Sequence, residues 1–140
     1  MRPAPLYTDR DTFRSIFTCQ RNTPPMKHTL YLSTAQGRIC LKLHCCRMGQ
    51  DIQICLTGGK AHVGAVALAL PNADIPAMLI RPGHKEGELA ALMAETLARS
   101  LNCAVCVSAG IHYPNITRDE ILTVESLSRK LTEQCLHQMQ

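Results

Sequence analysis

Tryptophan is absent from the 140 residues, and aromatic side chains make up only 4% of them. A surface that stacks unpaired bases needs aromatic platforms, so nucleic-acid binding is not expected. The basic excess does not restore that reading. Residues 1–50 hold eight Lys and Arg against two acids, whereas residues 51–140 hold seven against nine. The positive charges are scattered singly over Arg10, Arg14, Arg21, Lys27, Arg38, Lys42 and Arg47, as on an ordinary solvated face. Long apolar runs are missing too. The longest, Val63 to Leu70, is strand-sized and far short of the roughly 18 residues that a membrane span requires. Glycine and proline number only eight each, which excludes collagen-like repeats and low-complexity disorder for the bulk of the chain. Asp9, Asp11 and several prolines stand where a secretory signal places its apolar segment, which predicts a cytoplasmic protein.

Enzyme-type signatures are also lacking. Ser108 stands in a strand-like run with no Gly-x-Ser-x-Gly elbow around it, the turn that exposes a hydrolytic serine. No nucleophile–base pair and no paired carboxylates are recognisable, so no catalytic residue is assigned. Cysteine, by contrast, is plentiful at eight. In a secreted chain that number would announce disulfides. Here Cys40, Cys55, Cys103 and Cys106 fall within apolar strand-like runs and Cys45 adjoins Cys46, a pattern of small buried hydrophobes. The Cys103-Ala-Val-Cys106 spacing matches a redox motif in form only. Such a motif opens a helix, whose dipole lowers the first thiol's pKa. This pair enters a strand, where residues three apart point to opposite faces.

What is there amounts to one domain's worth of chain, 46% hydrophobic and long enough to bury its own core. Residues 1–25, closed by Thr23-Pro24-Pro25, read as an N-terminal extension with a short helix predicted around Asp11 to Phe17. Residues 26–140 form the domain. Thr29 to Ser33 is a weak strand. Arg38 to Cys46 alternates, with Ile39, Leu41, Leu43 and Cys45 on one face, and Ile52, Ile54 and Leu56 mark the next strand. His62 to Leu70 and Cys103 to Ala109 are apolar on both parities, the pattern of strands covered on both faces. Ala77 to Ile80 is a short strand between them. Lys85 to Leu101 has helical spacing through Leu89, Leu92, Met93, Leu97 and Leu101. Thr117-Arg118-Asp119-Glu120 is a capping box that opens a second helix. The expected fold is α+β: a single, predominantly antiparallel sheet with two helices on one face. Two helices leave the other face of so wide a sheet bare, so a homodimer packing sheet on sheet is expected, with the N-terminal extension as the rival cover.

Three short segments combine glycine with histidine. They are Gly58-Gly59-Lys60-Ala61-His62-Val63-Gly64, Pro82-Gly83-His84-Lys85-Glu86 and Ala109-Gly110-Ile111-His112-Tyr113-Pro114-Asn115. Following strand directions through the turns places all three at one edge of the sheet, and the middle one opens a helix. A helix start preceded by Gly83 is a natural seat for phosphate or carboxylate. Gly58 and Gly59 admit a ligand close to the backbone, and Lys60, Arg81 and Lys85 supply positive charge. His62, His84, His112 and Asn115 are hydrogen-bonding groups, with Thr57 and Ser108 as neutral donors. Three histidines also suggest zinc. No cysteine lies in these loops, and Glu86 is placed inside the first helical turn, so no metal ligand is assigned. A small metal-dependent enzyme using His62, His84 and His112 stays open, as does a protein-assembly chaperone without a small ligand.

The same three segments, extended to Thr57–Ala67 and to Ile116-Thr117, resemble the prenylated-flavin chaperones associated with gallate-type decarboxylases, the LpdD-like proteins. The likeness spans about residues 36–135 and leaves out residues 1–25. It implies a fold similar to the proteasome-assembly chaperones, which are dimers built from a sheet with two helices. It further implies a binding protein that takes reduced prenylated FMN as cargo and delivers it to an apo-decarboxylase. The reading of the residues fits this cargo independently of the likeness, with the Gly83–Lys85 helix start as the expected phosphate seat and the Gly58–Gly59 turn admitting the ring system.

Overall fold

Alternating hydrophobicity in residues 39–45 decides which way the sheet faces. Ile39, Leu41, Leu43 and Cys45 are buried while Lys42 between them is exposed, in a strand β2 that runs Ile39–Met48. The computed structural model describes residues 29–140. The extension over residues 1–25, and the helix expected around Asp11 to Phe17, lie outside the described residues. Strand β1 (Thr29–Gln36) precedes β2, and β3 (Asp51–Gly59), β4 (Ala65–Ala69) and β5 (Ala77–Ile80) follow. Helix α1 (Gly87–Leu101), strand β6 (Val105–His112) and helix α2 (Arg118–Met139) complete the chain.

The six strands form one mixed sheet in the order β1-β2-β3-β6-β4-β5. Every pairing is antiparallel except that of β3 with β6. Register aligns the buried positions across it: Leu43 lies opposite Leu56, Ile54 opposite Val107, and Ala67 opposite Val107. This face carries both helices, α1 over β4, β5 and β6 and α2 over β1 and β2. Met93, Leu97 and Leu131 are fully buried between the layers. The α2 capping box forms as read, with the Thr117 hydroxyl accepting from the Glu120 N–H and the Glu120 carboxylate accepting from the Thr117 N–H.

Several boundaries differ from the sequence expectation. The weak first strand is extended to Gln36 because all of it pairs with β2. Helix α1 begins at Gly87 rather than Lys85, after a turn through Gly83. The cysteines divide. Cys45, Cys103 and Cys135 are buried, but Cys40, Cys46 and Cys106 are half-buried and Cys55 is exposed. These last four sit on the parity that faces away from the helices, where the small-hydrophobe reading fails. Cys45 is pushed above the ordinary thiol range by its hydrogen bond to Cys135 and by burial, and it stays neutral.

Among the described residues, no element covers the face opposite the helices. One row across it reads Tyr31, His44, Cys55, Ser108, Val66 and Leu79 by register. Tyr31 and His44 stack with ring centroids 4.3 Å apart. At the β4–β5 end the surface turns apolar, with Leu68 45% and Leu79 78% exposed. Among the described residues, β4 and β6 are covered on the helix side.

Candidate functional site

The parallel pairing of β3 with β6 brings the ends of both strands to one edge, with Gly59 beside His112. Strand β4 leaves from that edge, and β5 returns to it with Ile80 opposite Ala65. Loops 58–64, 81–86 and 110–117 therefore meet there, and backbone hydrogen bonds bind them together. The Lys60 N–H donates to the His112 carbonyl at 2.9 Å, and the Gly64 N–H to the Ala109 carbonyl at 2.9 Å. The Arg81 N–H donates to the Gly64 carbonyl at 2.9 Å, and its guanidinium to the Val63 carbonyl at 3.0 Å. Two glycines permit this contact. Gly59 has φ +62° against the His112 carbonyl, and a Cβ on Gly110 would run into the backbone of His62.

Inside this knot three side chains converge. Glu86, the N-cap residue of α1, is buried at 7% exposure. Its carboxylate occupies the space beside Gly64, where a Cβ would stand 2.6 Å from Oε2. The Ile111 N–H donates to Oε1 at 3.3 Å. His62 Nε2 lies 3.0 Å from Oε1, and His84 Nδ1 lies 3.5 Å from Oε2. The two ring nitrogens are 3.1 Å apart. His62 Nδ1 is 3.0 Å from the Lys60 carbonyl, which fixes the proton on that nitrogen and leaves Nε2 facing the cluster. Burial pushes the Glu86 carboxyl up, but the N–H groups of Glu86 and Ile111 and the two imidazoles outweigh it. The group lies below the ordinary carboxylate range and is ionised at neutral pH.

A family profile described as the prenylated flavin chaperone LpdD-like domain matches residues 35–140. The chain belongs to the prenylated flavin chaperone LpdD-like family. None of the curated proteins matches it. Among solved structures, a chaperone complex for yeast 20S proteasome assembly is similar, with a TM-score of 0.56 and 10% identity over 81% of this chain and 99% of that one. At that identity the likeness concerns the fold, and it agrees with the architecture that the loop resemblance implied.

In this LpdD-like chain the sequence-selected residues do not all gather. His62 and His84 come together, and Gly58, Gly59, Lys60 and Gly110 pack along the seam between the first and third loops. His112 takes part through its carbonyl, while its side chain falls on the parity of the bare face and is exposed. The three-imidazole set therefore does not form, and Glu86 takes the third place. Sequence reading set Glu86 aside by placing it inside the first helical turn, whereas it is the N-cap residue and its side chain turns back into the loops. The available signal was Gly64, a glycine with no turn to make and hence a hole to be filled. Gly83, Lys85 and Asn115 are exposed. Gly83 to Lys85 lie in the turn before α1, and the helix start has the buried Glu86 carboxylate beside it.

A second missed group holds the third loop. Arg38, in the β1–β2 turn, forms a two-pronged ion pair with Glu120 at 2.6 and 2.9 Å and also donates to the Pro114 carbonyl at 2.9 Å. The Tyr113 hydroxyl accepts from the Cys40 N–H and donates to the Cys40 carbonyl, both at 2.8 Å. The Arg38 guanidinium and the Thr117 N–H hold the Glu120 carboxyl at about 2. A carboxyl lowered by folding adds stability above its unfolded pKa and loses it as pH falls toward the folded one. Urea midpoints are therefore expected to drop between about pH 4.5 and pH 2. In Arg38→Met this acid-side slope should flatten, and an unchanged slope would remove the clamp from the account.

Proposed function

We propose that this chain is a non-catalytic cytoplasmic carrier that binds reduced prenylated FMN at the three-loop edge. It delivers that cargo to an apo prenylated-flavin-dependent decarboxylase acting on aromatic acids of the gallate or hydroxybenzoate type. The observation that carries the reading is membership of the flavin-chaperone family over residues 35–140, together with the glycine- and histidine-bearing loops knit at one edge. Gly58, Gly59 and Gly110 let backbone amides approach a flat ring. Lys60 and Lys85, both exposed, with Arg81 between the loops, offer charge to a phosphate. His62, His84, His112, Asn115 and the backbone at Gly83 complete the hydrogen-bonding rim. The working form is proposed to be a homodimer, since Val66, Leu68 and Leu79 leave an apolar surface on the bare face.

Anaerobic titration with reduced and oxidised prenylated FMN tests this. The reduced form is expected to bind at least tenfold more tightly, and Lys60→Glu should weaken it by about 1–3 kcal/mol. Mixing the loaded protein with an apo-decarboxylase should restore decarboxylation that the free chain lacks. Failure to bind either flavin, with folding intact, would leave the assembly-chaperone reading in its place.

A further inference from the structure

We infer that His62, His84 and Glu86 form a binding site for a divalent transition-metal ion of the zinc type. This rests on the cluster's own geometry and not on the flavin reading. Each residue offers one donor atom, and the three donors lie within 4.8 Å of one another. His62 Nε2 lies 3.1 Å from His84 Nδ1 and 3.0 Å from Glu86 Oε1, and His84 Nδ1 lies 3.5 Å from the other carboxylate oxygen, Oε2, spacings near the edge of a zinc tetrahedron. With metal–ligand bonds of about 2.0–2.1 Å, that edge is about 3.3 Å.

Proton counting leads to the same place. The Lys60 carbonyl accepts from Nδ1 of His62, so in the neutral ring Nε2 presents a lone pair. That lone pair faces a carboxylate oxygen 3.0 Å away. Two acceptors at that range repel unless a proton or a cation lies between them. Glu86 Oε2 is buried with no hydrogen-bond partner, a condition native proteins rarely leave unresolved. One cation on Nε2 of His62, Nδ1 of His84 and Oε2 of Glu86 takes up the Nε2 lone pair and gives the orphaned Oε2 a partner, while Oε1 keeps the Ile111 N–H. Two imidazoles and one carboxylate suit zinc rather than calcium or magnesium, which take oxygen. The surroundings are those of a supported site. The Lys60 carbonyl orients one imidazole, the Ile111 N–H holds Oε1, and Gly64 leaves room for Oε2. Three protein ligands leave a fourth position open to water or an anionic oxygen.

The full chain, stripped with chelator and kept reduced, is titrated with Zn²⁺ alone by calorimetry and with Co²⁺ alone by absorbance. One ion per chain is expected, with a cobalt spectrum that lacks thiolate charge transfer. His84→Ala and Glu86→Gln should each weaken binding by about 100-fold and abolish the zinc-dependent rise in Tm. His84 is half-buried in a loop, so its variant carries the test even where Glu86→Gln fails to fold. No stoichiometric binding at micromolar zinc, equal binding in His84→Ala, or a thiolate charge-transfer band that survives His84→Ala would overturn the assignment. The last would move the metal to the cysteines.

Discussion

A single methyl group added at Gly110 is expected to destabilise the chain by about 3 kcal/mol, the upper end of overpacking costs. The atoms it would meet are the carbonyl carbon, oxygen and amide nitrogen of His62. Backbone cannot turn aside as a flexible side chain can, so the first and third loops must separate. Their separation breaks the hydrogen bonds from Lys60 to His112 and from Gly64 to Ala109. Gly110→Ala should therefore lower the urea midpoint and lose affinity for the flavin cargo together. Gly83→Ala is the matched control. Gly83, unlike Gly110, has a positive φ, +78°, but nothing lies within 4 Å of its added Cβ. It should cost only about 1 kcal/mol, the backbone penalty alone. Equal midpoints for wild type and Gly110→Ala would show that the loops are not packed as described.

Sedimentation at micromolar concentration is expected to give about twice the 15.4 kDa of one chain. Burying about 600 Å² of apolar surface in each subunit contributes on the order of 15 kcal/mol per subunit before association costs. Leu79 is 78% exposed on the bare face, so Leu79→Asp leaves the core of a single chain untouched. In a symmetric dimer it buries the new charge twice, at several kcal/mol each time. The variant should run as a folded monomer. Wild type running cleanly at the mass of one chain would dispose of the dimer.

Strand β2 was legible residue by residue because one face is buried and the other wet, and period two then writes itself into the sequence. The capping box before α2 was legible because its two hydrogen bonds are local. Strands β4 and β6 gave a different lesson. Their double apolar parity is real, yet parity cannot say whether the second cover is a helix, another chain or nothing within one chain. The shared edge of the three loops followed from strand directions alone. Glu86 did not, because its burial depends on Gly64 and Ile111, which reach it only through tertiary contact. Arg38 was passed over for the same reason: it looked like one scattered charge until the fold carried Glu120 to it across 82 positions.

The single parallel seam has a consequence for how the chain assembles. Every antiparallel neighbour pair within β1–β3 can zip from a tight turn, but β3 meets β6 only after about 50 intervening residues have folded back. Such distant pairings are slow, because loop-closure entropy is lost before contacts compensate for it. The first and third loops lie at the far end of that seam. A chain released part-folded therefore has a β1–β3 meander and no three-loop edge. With the cargo site proposed at that edge, only molecules that have finished folding would meet cargo, and immature copies would not compete for it.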